Sequence, residues 1–97
     1  MCIKSVKVDG SDKQTVTELD AKDGDLNFSY TGLYIYDGTL YVTANGWSSD
    51  SSSTKDTFKV MSLKKDGSDE KEIMSESSSR GYMSSIVTKD RVYWVVN

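Results

Sequence analysis

This sequence predicts an all-β domain of antiparallel four-stranded meanders, and three observations carry that reading. The first is the stretch 33–45, LYIYDGTLYVTAN, in which two apolar runs hinge on Asp37-Gly38. Both hinge residues tolerate the positive φ of a type I′ turn, so an Asp-Gly pair between alternating Tyr, Ile, Leu and Val is a strong hairpin signal. The second is another Asp-Gly turn, Lys65-Asp66-Gly67-Ser68, with strand-like runs at 58–63 and 70–75 on either side. Together the two hairpins make a four-stranded meander. The third is the lack of helical periodicity: the one stretch rich in helix formers, 68–79, has only the adjacent Ile73 and Met74 as apolar residues.

In order along the chain, 3–8 reads as a short strand that stops at Asp9-Gly10-Ser11-Asp12, and 14–19 is its return through Thr15, Val16 and Thr17. Residues 21–25 are polar and turn-like, and 27–31 lead into the 33–45 hairpin. Residues 46–56 read as a Ser- and Asp-rich loop with Trp47 at its start, too polar to bury much apolar area and expected to be the most mobile internal segment from 47 to 56. The third hairpin, 58–63 with 70–75, is followed by a serine-rich connection at 76–80. The chain then runs through 82–88, a turn at Lys89-Asp90, and 92–96. That last run, VYWVV, is apolar on both faces and predicts a strand covered on both sides. The expectation is eight strands in four hairpins, with no helix longer than about two turns.

Two internal repeats organise these hairpins. VDGSDKQTV from Val8 matches KDGSDEKEI from Lys65, 57 residues on, and YDGTLYVTAN from Tyr36 matches TKDRVYWVVN from Thr88, 52 residues on. Hairpins of an outer type (Asp-Gly-Ser-Asp) and an inner type (Tyr-rich) therefore alternate. One complete four-stranded unit lies in the middle, with half a unit on each side. Units of about 40–50 residues with four antiparallel strands are the signature of β-propeller blades. Pairing 3–8 with 91–97 would complete a second blade from the chain ends, within one chain or between chains, and predicts self-association through strand edges or blade faces.

The motifs add a resemblance. Tyr36 to Asn45, the loop 46–56, the strand 57–64, and Gly81-Tyr82-Met83-Ser84-Ser85 leading to the final 91–97 together resemble the secreted bacterial and archaeal β-propeller-domain family, distantly related to WD-repeat proteins. The resemblance implies a piece of about two blades and an extracellular or cell-surface location, while the length of 97 residues allows one domain over 1–97. It implies no catalytic site.

Composition narrows the function classes. With 12 basic and 15 acidic residues the net charge is −3, which argues against a phosphate-binding surface and so against nucleic acid. No run of 18 apolar residues is present, so no membrane span is expected, and neither is a signal peptide. The single cysteine, Cys2, excludes an intrachain disulfide and reads as an exposed terminal thiol or a lipid-anchored N-terminal residue. Histidine is absent, which removes Ser-His and Cys-His nucleophile systems and the commonest zinc ligand. The Asp-rich turns lack the D-x-D-x-D-G spacing of a calcium loop, and no phosphate-cradling glycine motif occurs, so no metal and no cofactor are expected.

Aromatic residues offer the remaining route. Tyr34, Tyr36, Tyr41, Tyr93 and Trp94 fall within strands and read as packing. Trp47 stands at a strand end beside Asn45 and Gly46, where its ring could stack on a sugar, grip a partner or fold back on the blade edge. Arg80 with Tyr82 is a candidate for the same rim. Asn45, Trp47, Arg80 and Tyr82 are thus the candidate ligand-binding residues, for a protein partner or a glycan. The leading class is a non-enzymatic recognition or scaffold module. The alternative is a carbohydrate-binding module or an accessory piece of a glycoside-active enzyme.

Overall fold

The computed structural model describes residues 1–50 and 55–97. Every regular element described is a β-strand: β1 (Cys2–Ser5), β2 (Gln14–Glu18), β3 (Lys22–Asp23), β4 (Leu26–Tyr36), β5 (Thr39–Ser48), β6 (Asp56–Lys64), β7 (Lys71–Ser78), β8 (Tyr82–Val87) and β9 (Val92–Val96). The antiparallel all-β class read from the sequence is what the chain adopts. Strands β3 to β7 form one strongly curled sheet in chain order, and β1-β2 and β8-β9 are separate two-stranded sheets.

The central sheet is the meander expected around the Asp-Gly turn. Asp37 and Gly38 have φ of 49° and 77°, both positive as a type I′ turn needs, and Tyr36 pairs with Thr39 across it. Strict alternation from this turn sorts side chains onto two faces. Leu33, Ile35, Leu40, Val42, Met61 and Leu63 share one face, here the front; Tyr34, Tyr36, Tyr41, Phe58 and Val60 share the rear. The front receives the N-terminal hairpin: Ile3 and Leu19 join Val42, Met61 and Leu63 in a buried cluster, flanked by Val16, Tyr30 and Leu40. The rear receives the C-terminal hairpin. There Phe58, 1% exposed, lies between Tyr82 and Trp94 at ring centroid distances of 5.6 Å each. The Tyr34 and Tyr36 hydroxyls donate to the carbonyls of Ser85 (3.1 Å) and Val87 (2.7 Å). The five-stranded sheet is therefore sandwiched between two two-stranded hairpins.

The register shifts of the terminal hairpins fall at the positions that match those of the central sheet. β1-β2 pairs Ile3 with Thr17 and slips by one residue before Lys4; β6-β7 pairs Val60 with Met74 and slips before Met61. Those positions are 57 apart. β4-β5 bulges between Tyr30 and Gly32, and β8-β9 between Tyr82 and Ser85, as the offset of 52 requires. The outer turns also match. Gly10 and Gly67 both have φ of 88°, and their amides donate to Lys7 and Lys64. Asp9 and Asp66 each accept from the amide (2.9 Å) and the hydroxyl (2.6 Å) of the serine two residues on.

Several expectations need correction. The turn at 65–68 is not the kind found at Asp37-Gly38: Asp66, held by Ser68, keeps a negative φ and only Gly67 turns left-handed. A ninth strand, β3, pairs with the start of β4 where a plain turn was expected, so the described strands number nine rather than eight. The expected loop 46–56 is shorter, because β5 runs on to Ser48 and β6 starts at Asp56. Gly46 makes that extension fit: the Phe28 ring lies across its backbone, and a Cβ there would stand 2.6 Å from Phe28 Cε1. Trp47 and Asp56 thus pair within the sheet, while 51–54, the middle of the segment expected to be most mobile, lie outside the described residues. β7 likewise continues to Ser78 through the serine-rich connection, where Ser77 Oγ meets Thr57 Oγ1 at 3.1 Å. Packing context outweighs the low strand propensity of serine.

Two corrections concern the chain ends. β9 is covered on one face only, since Trp94 faces Phe58 while Tyr93 and Val95 remain 53% and 50% exposed. Residues 3–8 and 91–97 do not pair within the chain: β1 bonds only to β2 and β9 only to β8. The central sheet stands between them.

Candidate functional site

Trp47 sits near the end of β5, two residues from Asn45 on the same rear face and opposite Asp56 on β6. The C-terminal hairpin enters this end of the sheet at Tyr82, whose ring packs on Phe58. Between them lies a cleft of about 180 Å³ lined by Asn45, Gly46, Trp47, Asp56 and Tyr82. A neighbouring hollow of about 190 Å³ adds Thr31, Phe58 and Met83 to Ser85 around the same Asn45 and Tyr82. Either is smaller than the roughly 300–1,000 Å³ of a whole small-molecule site, so the cleft suits one ring or one side chain of a larger ligand.

Its polar chemistry is specific. Tyr82 Oη is the one buried side-chain oxygen or nitrogen that lacks a hydrogen-bond partner among the described residues. A buried hydroxyl left unpaired costs on the order of 1–3 kcal/mol. Burial first, and then the nearby Glu76 and Asp56 carboxylates, push the Tyr82 phenol above its ordinary value. At neutral pH it is therefore a proton-bearing donor. Glu76 is engaged, accepting from the Trp94 indole N–H at 3.2 Å. Trp47 is 47% exposed at the mouth, so its ring is free to stack.

Of the four residues singled out from the sequence, Asn45, Trp47 and Tyr82 come together and Arg80 does not. The Arg80 side chain is exposed and lines neither hollow; its amide donates to Ser78 Oγ at 3.0 Å in a turn. Asp56 was missed, since only the β5-β6 register puts it opposite Trp47, and its position at the end of an apparent loop gave no signal.

Other chemistry is sparse. Among the described residues no group of three or more His, Cys, Asp or Glu is placed to hold a metal ion, and no helix is long and apolar enough to cross a membrane. Cys2 is a free, exposed thiol. Comparison of the chain with protein-family models, with curated proteins and with solved structures gives no match.

Proposed function

We propose that the chain is a non-enzymatic recognition module of the secreted β-propeller type, built from about two blades, that takes its ligand in the rim cleft beside Trp47. The observation that carries this reading is a cleft of single-ring size that gathers Asn45, Asp56 and Tyr82 beside the exposed Trp47 indole. The blade stacking and its repeats support the propeller part of the reading, and the resemblance supports an extracellular or cell-surface setting.

A carbohydrate ligand is favoured over a protein segment by the composition of the cleft. A carboxamide and a carboxylate beside one exposed indole supply a donor and acceptors for adjacent hydroxyls together with a stacking plane, within a space of single-ring size. Binding of the intact chain to an array of defined glycans tests this. Retention of a particular sugar is expected, and it is lost in Trp47→Ala, which removes the stacking plane. An array that stays blank, or retention that survives Trp47→Ala, overturns the glycan reading of this cleft.

A further inference from the structure

We infer that the chain self-assembles head to tail, the C-terminal hairpin of one copy joining the N-terminal hairpin of the next to complete a four-stranded blade. The pairing strands are β9 of one copy and β1 of the next.

The central sheet is the template. Its inner pair, β4-β5, joins its outer pair, β6-β7, through β5-β6 in an unbroken antiparallel register that sets Val42 opposite Met61. β8-β9 repeats the inner pair and β1-β2 the outer pair, bulges included, yet β9 and β1 each keep one edge unpaired. Carried through the offsets of 52 and 57, the register sets Trp94 opposite Lys4 and Val96 opposite Cys2 of the next copy. An unpaired strand edge is a template for another chain, and here the complementary edge is on the same molecule.

Facing is consistent with this. Trp94 faces the rear of its own central sheet, and Ile3 faces the front of its own, so both would keep their present contacts in the joined blade. Joining brings the uncovered side of β8-β9, with Ile86, Tyr93 and Val95, over the front of the next copy's β4-β5. There Leu33 and Ile35 are 52% and 54% exposed. The space is already open: a groove of about 530 Å³ runs along β1 over Leu33 and Val42, with another of about 280 Å³ over Leu33, Ile35 and Leu40. The chain exposes 6538 Å², about 1,000 Å² more than the roughly 5,500 Å² expected for a compact monomer of 10.8 kDa. That excess is of the order of one partner's share of a stable interface.

A heterologous contact of this kind closes into a ring when its rotation permits. Each copy adds two blades, so propellers of about four to eight blades correspond to two to four copies.

Light scattering on the intact chain, combined with thiol cross-linking, tests this. We expect a defined mass of two to four copies, dissociating to monomer in Val95→Lys, whose half-exposed position leaves the monomer fold intact by circular dichroism. In Val96→Cys, mild oxidation should join residue 96 to Cys2 of the neighbour and give a covalent ladder on non-reducing gels. Val95→Cys points to the other face and should give none. A monodisperse monomer at millimolar concentration, or Val95→Cys cross-linking as readily as Val96→Cys, overturns the inference.

Discussion

Single residues set the geometry of each turn. Asp66 and Asp9 hold theirs by accepting from a serine amide and hydroxyl, and these bonds, the hydroxyl's first, draw both carboxyls below the ordinary aspartate value of 3.8. A folded-state value below the unfolded one means that the stabilisation is complete above the ordinary value and is lost as pH falls through the lowered one. Both carboxylates are fully exposed, so the effect is local to the turn. In Ser68→Ala, carbon-detected titration should find Asp66 back in the ordinary aspartate range while Asp9 stays low. An unchanged Asp66 would mean that Ser68 is not its partner. This device was half legible in the sequence: the Asp-Gly-Ser-Asp repeat announced two like turns, but not that the serine locks the aspartate out of positive φ. Gly67 (φ 88°) then supplies the first left-handed step of the connection and Asp69 (φ 57°) the second. A Cβ at Gly67 would also strike the Val16 carbonyl, so the same glycine lets the turn lie against β2.

At the scale of elements, strand existence was legible and strand length was not. Alternation and Asp-Gly pairs located β4 to β6 because each strand buries a face. Ser-rich ends such as Gly46 to Ser48 and Ser75 to Ser78 look like loop in composition and become strand only through their neighbours. The rim site was legible to the same degree, with Trp47, Asn45 and Tyr82 found by type and position and Asp56 hidden in the register. How the elements dock was not legible, since it depends on hydroxyls reaching backbone groups about 50 residues away. Tyr34 and Tyr36 tie β8 to the sheet in this way, and no backbone ladder joins the two. Removing both hydroxyls in Tyr34→Phe/Tyr36→Phe should cost roughly 0.5–1.5 kcal/mol for each bond. Hydrogen exchange should then speed up in β8-β9 while β4-β6 keep their protection. Uniform acceleration over all strands would mean that the hairpin does not open separately.

Over the whole molecule, shape and surface agree. The radius of gyration is 14.5 Å, against about 12.5–13 Å for a compact domain of this length, and the chain extends 47 × 27 × 22 Å. A curled sheet with a hairpin on each face leaves strand edges open on both hairpins. VYWVV misled on this point: a strand apolar on both faces does call for cover on both, and the chain supplies cover on only one. The central claim is the sandwich itself, with the N-terminal hairpin on the front of the central sheet and the C-terminal hairpin on its rear. Nuclear Overhauser contacts in solution test it most directly. The account expects cross-peaks from the Trp94 indole to the Phe58 ring together with cross-peaks from Ile3 and Leu19 methyls to Val42 and Met61. Contacts from both hairpins to one and the same face, or none from either, would contradict it.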